Sequence, residues 1–179
     1  MDPVLKKLGW NAFFGERFRE YAIDHEPGRV SAVRKSSCEV HTKEGVVRAR
    51  VSGRLRQDGL RPAVGDWVAI SQDDSGARTI QAVLPRRSKI SRKDPGRAVG
   101  EQVMATNIDT VFIVTSLNQD LNLRRLERYN AAARQSGAVP VVVLNKSDLC
   151  ADVEAKINDV KAIASDVPVL AISAAEKTG

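Results

Sequence analysis

Asn145-Lys146-Ser147-Asp148 directly follows the apolar run Val141-Val142-Val143-Leu144, and these residue types suit a guanine base. An ionised Asp148 offers only acceptors, so its two carboxylate oxygens can take guanine's N1–H and exocyclic 2-amino group together; adenine lacks both donors. A site built to satisfy those donors rejects a base without them. Asn145 carries both an amide donor and a carbonyl acceptor, which suits it to bracing the loop and reaching the O6/N7 edge. Lys146 can lay its methylene stem along the ring face, and Ser147 contributes backbone. A solvated strand-to-helix turn draws on the same residue types, but Asn-Lys-x-Asp placed behind a buried strand favours the ligand-binding reading.

A second element stands one helix and one strand further on. Asp152 to Ala164 reads as a helix and Val167 to Ile172 as a short buried strand, which delivers Ser173-Ala174-Ala175 to the same sheet edge. Ligands bind at the carboxyl ends of strands in open α/β sheets. Backbone N–H groups of this small-residue turn can approach guanine O6 closely, Ala174 first among them, with Ser173 beside it. No stretch of the chain matches Gly-x-x-x-x-Gly-Lys-[Ser/Thr], whose backbone amides cradle phosphates and whose hydroxyl holds magnesium. The base-reading residues therefore have no phosphate-holding loop upstream of them.

The elements that must position these residues begin at about Gly100. Ile108 to Thr115 reads as a buried strand, Leu121 to Ser136 as an Arg-rich amphipathic helix ended by Gly137, and Val139 to Leu144 as the next strand. Strand-helix-strand-helix-strand with short connections predicts a parallel sheet. Upstream the period is different. Arg29 to Lys35, Ser36 to Thr42, Val46 to Val51, Gly65 to Ile70 and Arg78 to Leu84 are β-rich, and Asp73-Asp74-Ser75-Gly76 supplies a hairpin turn. Five short strands in that span predict a small closed barrel of the OB-fold kind. Before the barrel, residues 1–27 hold five of the eight aromatics, Trp10, Phe13, Phe14, Phe18 and Tyr21, and Asp2-Pro3 forms a helix start. They predict a helical arm docked by its apolar face. The expected division is arm 1–27, barrel 28–85, basic linker 86–99 and α/β domain 100–179.

Charge divides the chain in the same place. Residues 1–97 carry 20 Lys and Arg against 12 Asp and Glu, whereas residues 98–179 carry 8 against 10. A basic front half attached to a mildly acidic α/β half is the balance expected of nucleic-acid binding joined to a nucleotide module. The expected RNA face comprises Arg48, Arg50, Arg54, Arg56 and Arg61 of the barrel, extended by Arg86, Arg87, Lys89, Arg92, Lys93 and Arg97 behind it. Trp67 is the only aromatic of the barrel, so folded RNA read by charge and shape is favoured over base-by-base stacking. Cys38 and Cys150 lack Cys-x-x-Cys spacing, and Cys38 with His41 supplies two of the four ligands that structural zinc needs; no metal site is expected. His25 is uninformative. Apolar runs fall far short of the ~20 residues of a membrane span and no secretory h-region opens the chain, so a cytoplasmic location is expected.

Taken in order, Pro62-Ala63-Val64-Gly65-Asp66-Trp67-Val68, Leu84-Pro85-Arg86-Arg87-Ser88-Lys89, Asn107 to Val114, Asn122 to Tyr129, Asn145-Lys146-Ser147-Asp148 and Ser173-Ala174 resemble the RsgA/YjeQ (EngC) family nearly from end to end. The resemblance implies an N-terminal OB-fold followed by the first part of a circularly permuted P-loop GTPase domain, Rossmann-like in architecture. Base-reading motifs precede the phosphate loop in such a domain, and a C-terminal Zn2+-binding domain completes the family's chain. It further implies GTP and GDP with Mg2+ as ligands, and the 30S ribosomal subunit and its 16S rRNA as partners in late maturation. Guanine contacts are implied at Asn145, Lys146 and Asp148, with Ser173 and Ala174 beside them. The phosphate loop, both switches, the catalytic residues and the zinc domain are then expected beyond Gly179, and the 179-residue chain is expected not to hydrolyse GTP. A monomer is expected, with dimerisation through an unpaired sheet edge as the alternative. Two other functions compete: a standalone basic OB-fold RNA-binding module with a merely structural α/β half, and an interaction scaffold using the aromatic arm.

Overall fold

A computed structural model describes residues 2–93, 101–118 and 120–179. The chain forms two compact units, Met1–Asn107 and Ile108–Gly179.

In the first unit, β1 (Glu26–Val33), β2 (Cys38–Thr42), β3 (Gly45–Val51), β4 (Trp67–Gln72) and β5 (Arg78–Val83) close a barrel in the order β1-β2-β3-β5-β4. All neighbours are antiparallel except β3 and β5, which run parallel. This is the five-stranded OB-like barrel expected from the sequence. Val30, Val40, Ala49, Val68, Ile70 and Ile80 point inward. The short helix α3 (Gly53–Gln57), capped by the Ser52 hydroxyl, adds Leu55 to that core. Five residues give too little periodicity to mark α3 as a helical turn in the sequence.

β4 is buried on both faces. Val68 and Ile70 face the barrel interior, while Trp67 and Ala69 lie beneath the N-terminal arm. The arm comprises α1 (Pro3–Lys7), started by the Asp2 carboxylate accepting from Val4 N at 2.8 Å, and α2 (Ala12–Phe18), followed by a 3-10 turn at Arg19–Tyr21. Trp10 meets Trp67 edge-on with ring centroids 4.7 Å apart, and Phe14 and Phe18 complete the cluster. The Arg29 guanidinium donates to Leu8 O of the arm and, at 2.9 Å, to Asn107 O.

The expected linker differs in the structure. Lys89–Lys93 is a strand, β6, paired antiparallel with β7 (Glu101–Thr106), and both belong to the first unit. Only Ile90 among the five β6 residues is apolar, so no alternation betrays the strand; its partner and the barrel impose it. At the base of this hairpin the wholly buried Asp66 accepts from Arg86 Nε at 2.8 Å and Nη2 at 2.7 Å, from Thr106 Oγ1 at 2.7 Å and from Ala63 N at 2.8 Å. Gly65, with φ +92°, passes so close to Thr106 that a Cβ would stand 2.0 Å from its carbonyl oxygen. Asn107 closes the unit in a left-handed conformation, φ +52°; its side chain donates to Gly65 O and accepts from Arg87 N.

The second unit is a three-stranded parallel sheet in the order β10-β9-β8, built from β8 (Thr110–Ser116), β9 (Val139–Asn145) and β10 (Val169–Ala171). The connecting helices, α4 (Leu123–Gln135) and α5 (Val153–Ile163), bury Leu126, Val160 and their neighbours against Ile113, Val142 and Leu144 in one cluster. Phe112, Val114 and Leu170 point to the opposite face and are half exposed or more.

Candidate functional site

The end of β9 places Asn145 between two backbone donors. Its Oδ1 accepts from Lys146 N at 2.7 Å and from Ala174 N at 3.1 Å, tying the two sequence-predicted loops together. Lys146 takes a left-handed conformation, φ 63° and ψ 42°, which starts a 3-10 turn at Ser147–Leu149. Ser147 N donates to Ile172 O at 3.1 Å, so its part in this contact is a backbone one. The turn carries Asp148 out to an exposed position beside the loop behind β10, where the buried Ser173 hydroxyl donates to Asp148 Oδ1 at 2.5 Å. Ser173 is itself fixed by a backbone pair with Thr178, at 2.9 and 3.1 Å, and by accepting from Glu176 N.

All six predicted nucleotide residues, Asn145, Lys146, Ser147, Asp148, Ser173 and Ala174, therefore lie on two adjacent loops at the carboxyl end of the sheet. Sequence reasoning missed two features. The Ser173 hydroxyl aims the carboxylate, and the Ala174 N–H, expected to face guanine O6, is engaged by Asn145. A Ser at the first position of the second loop was the signal for the former, since a short hydroxyl there reaches only what the neighbouring strand end presents.

The basic residues are less uniform than their sequence spacing. Arg48 and Arg50 alternate outward on β3, and Arg54, Arg56 and Arg61 are exposed on and after α3. A cleft of about 600 Å³ opens beside Arg48 and Arg50, walled by Ser36 and Ser37 of the β1–β2 turn and by Asp73, Gly76 and Ala77 of the β4–β5 turn. OB-folds bind oligonucleotides on the face between these two turns. Arg78, also in the wall, pairs with Glu26 and Glu44. Asp73 accepts from the Ser75 hydroxyl at 2.6 Å and from Ser75 N and Ala77 N, which hold its carboxyl below the usual range.

Arg86 stands apart from the exposed set: its guanidinium is spent on buried Asp66. The sequence could not separate it from Arg87, because adjacent arginines differ only in which tertiary partner they meet. Arg87 and Lys89 are exposed; Arg92 and Lys93 lie on β6, and Arg97 lies outside the described residues. Cys38 is buried in the barrel core, and burial pushes its thiol up. No group of three or more His, Cys, Asp or Glu residues is placed to hold a metal among the described residues. No helix is long and apolar enough to cross a membrane among them.

Two family models cover most of the chain: the RsgA N-terminal domain over residues 27–80 and the RsgA GTPase over residues 83–179. The chain belongs to the RsgA GTPase family. Among curated relatives, the small ribosomal subunit biogenesis GTPase RsgA of Methanosarcina acetivorans is 45% identical over 172 residues, covering 96% of this chain and 47% of the relative. The protein of the same name from Opitutus terrae is 44% identical over 190 residues, covering 98% of this chain and 52% of its own. The chain spans about half the length of the curated relatives it matches. Its fold is that of YjeQ from Thermotoga maritima, with a TM-score of 0.69 at 22% identity over 87% of this chain and 54% of that one. It is also that of YloQ, a circularly permuted GTPase, with a TM-score of 0.63 at 18% identity over 85% and 53%. An OB-like barrel followed by the parallel sheet of a permuted GTPase domain, as the sequence implied, is thus the RsgA architecture.

Proposed function

We propose that this chain supplies the RNA-binding barrel and the guanine-reading half of a GTP hydrolase that acts in late maturation of the small ribosomal subunit. The observation that carries the reading is the Asn145–Ala174 and Asp148–Ser173 pairing at the sheet's carboxyl end. A carboxylate held by one hydroxyl keeps lone pairs on both oxygens for guanine's N1–H and 2-amino donors. Asn145 fixes the loop separation, and Lys146, exposed beside it, covers a ring face with its stem. The Ala174 N–H reaches guanine O6 by sharing or exchanging its bond to Asn145. GTP, when bound with Mg2+, supplies the phosphoanhydride that is cleaved; no stretch of these 179 residues matches the Gly-x-x-x-x-Gly-Lys-[Ser/Thr] phosphate loop, so binding here is weak and base-specific. The relatives' name, small ribosomal subunit biogenesis GTPase, supports the subunit as partner, and the exposed arginines of the barrel support 16S rRNA as the contacted component. Cytoplasmic location, a monomeric state and a zinc domain beyond Gly179 complete the proposal.

The test is fluorescent GDP binding to the protein carried to the family's full length, with and without small subunits, for parent and Asp148→Asn. Loss of preference for GDP over ADP by about 10²-fold or more, with the fold intact, is the expected result. Unchanged preference would remove Asp148 from the role given to it.

A further inference from the structure

Of the eight Lys and Arg residues between Ile108 and Gly179, four are the arginines of α4, Arg124, Arg125, Arg128 and Arg134; the others, Lys146, Lys156, Lys161 and Lys177, are all lysines. The same helix carries one acid, Glu127. Two of its arginines have partners in the fold: Arg125 pairs with Asp120 at 2.9 Å and Arg134 with Asp166 at 2.5 Å. The side chains of Arg124 and Arg128 make neither an ion pair nor a hydrogen bond among the described residues, and both residues are exposed.

Their placement opposes the helix that carries them. Asn122 caps α4, so Arg124 sits in the first turn, where the helix dipole disfavours a cation, and no acid accompanies it there. Arg124 and Arg128 are also four residues apart on one face, a spacing at which like charges repel. Helix stability alone would favour Glu or Asp at the first of these positions. Arginine offers a planar fork that matches phosphate oxygens, and lysine does not. Tyr129, adjacent on the helix and 52% exposed, adds a ring on which a base can stack.

We infer that the outer face of α4, Arg124 and Arg128 with Tyr129 at its margin, is a second contact for an RNA phosphate backbone, on a different compact unit from the barrel arginines. The inference rests on the reading of this protein as RNA-binding. The rest of the unit limits the contact to this helix, because Ile108 to Gly179 as a whole carries nine acids against its eight cations. An acidic protein surface could neutralise the same charges, but an exposed aromatic ring on the same helix favours a ligand with bases as well as phosphates.

The experiment measures binding of a fluorescently labelled RNA hairpin to the 179-residue chain across a salt series. Arg124→Ala/Arg128→Ala is compared with Arg48→Ala/Arg50→Ala and with Arg124→Lys/Arg128→Lys. Losing two phosphate contacts should weaken binding several-fold and flatten the slope of log affinity against log salt by about 1.5. The lysine variant should keep most of the slope, and the α4 alanine variant should melt no lower than the parent, since it removes repulsion. An unchanged slope in the α4 variant, whether or not the barrel variant loses its own, would overturn the inference; an acidic protein partner would give this result. Loss in the barrel variant alone would leave the barrel reading standing, and loss in the α4 variant alone would remove the barrel reading and keep this one. A fall of several degrees in the α4 variant's melting temperature would assign both arginines to stability and also overturn it.

Discussion

Ser173 is 2% exposed and its hydroxyl donates to the carboxylate of an exposed residue, so its effect is on where Asp148 points more than on the fold. Replacing it with Ala removes one charge-assisted hydrogen bond, discounted to about 1 kcal/mol because solvent reaches Asp148. Ser173→Ala is therefore expected to weaken GDP binding about fivefold. Discrimination between GDP and inosine diphosphate, which lacks the 2-amino group, should fall with it; competition between the two nucleotides reads this directly. A merely structural Ser173 would lower both affinities equally. Asn145 and Asp148 could be named from sequence because Asn-Lys-x-Asp behind an apolar strand restricts the chemistry to few ligands. Ser173's partner could not, because it lies 25 residues away and is brought near only by the β9–β10 pairing.

Two elements carry most of the positioning, and both make quantitative demands. The β6–β7 hairpin is joined to the barrel through Asp66, whose four bonds are made out of water. Asp66→Ala leaves the Arg86 guanidinium and two further donors without their acceptor, and a loss of about 3–5 kcal/mol is expected, measurable by urea unfolding. Arg86→Ala leaves that buried carboxylate without its counter-charge, with only Thr106 and Ala63 still donating to it, so a comparable loss is expected. In the sheet of the second unit, neighbouring residues of β8 should behave oppositely. Ile113→Ala opens a cavity between sheet and helices and should cost about 3 kcal/mol. Phe112→Ser, at a position 64% exposed, should stay within about 1 kcal/mol in the 179-residue chain. The strands of the barrel and sheet were legible because alternation and apolar runs repeat along them. β6 was not legible, since a strand of Lys, Ile, Ser, Arg and Lys owes its form to its neighbour.

At the scale of the whole molecule, charge and chain length govern what the protein can do. The 179 residues contain Asn-Lys-x-Asp but no stretch matching Gly-x-x-x-x-Gly-Lys-[Ser/Thr], and phosphoryl transfer depends on holding the γ-phosphate and its metal in place. Purified as these residues alone, the chain is expected to show no GTP turnover above background in a phosphate-release assay; turnover would mean that some other part of the chain holds the phosphates. By itself the sequence determined the order of the parts: a basic barrel first, then an α/β segment carrying Asn-Lys-x-Asp and Ser-Ala, residue types that suit a guanine base. Periodicity, motif spacing and charge balance are local or additive properties, and a linear chain displays them. Only the tertiary structure decided which of two adjacent arginines pairs with the buried Asp66, which hydroxyl aims Asp148, and which strand hides in a run of cations. Those depend on contacts between residues far apart in sequence, and a side chain's role there is set by the partner the fold brings to it.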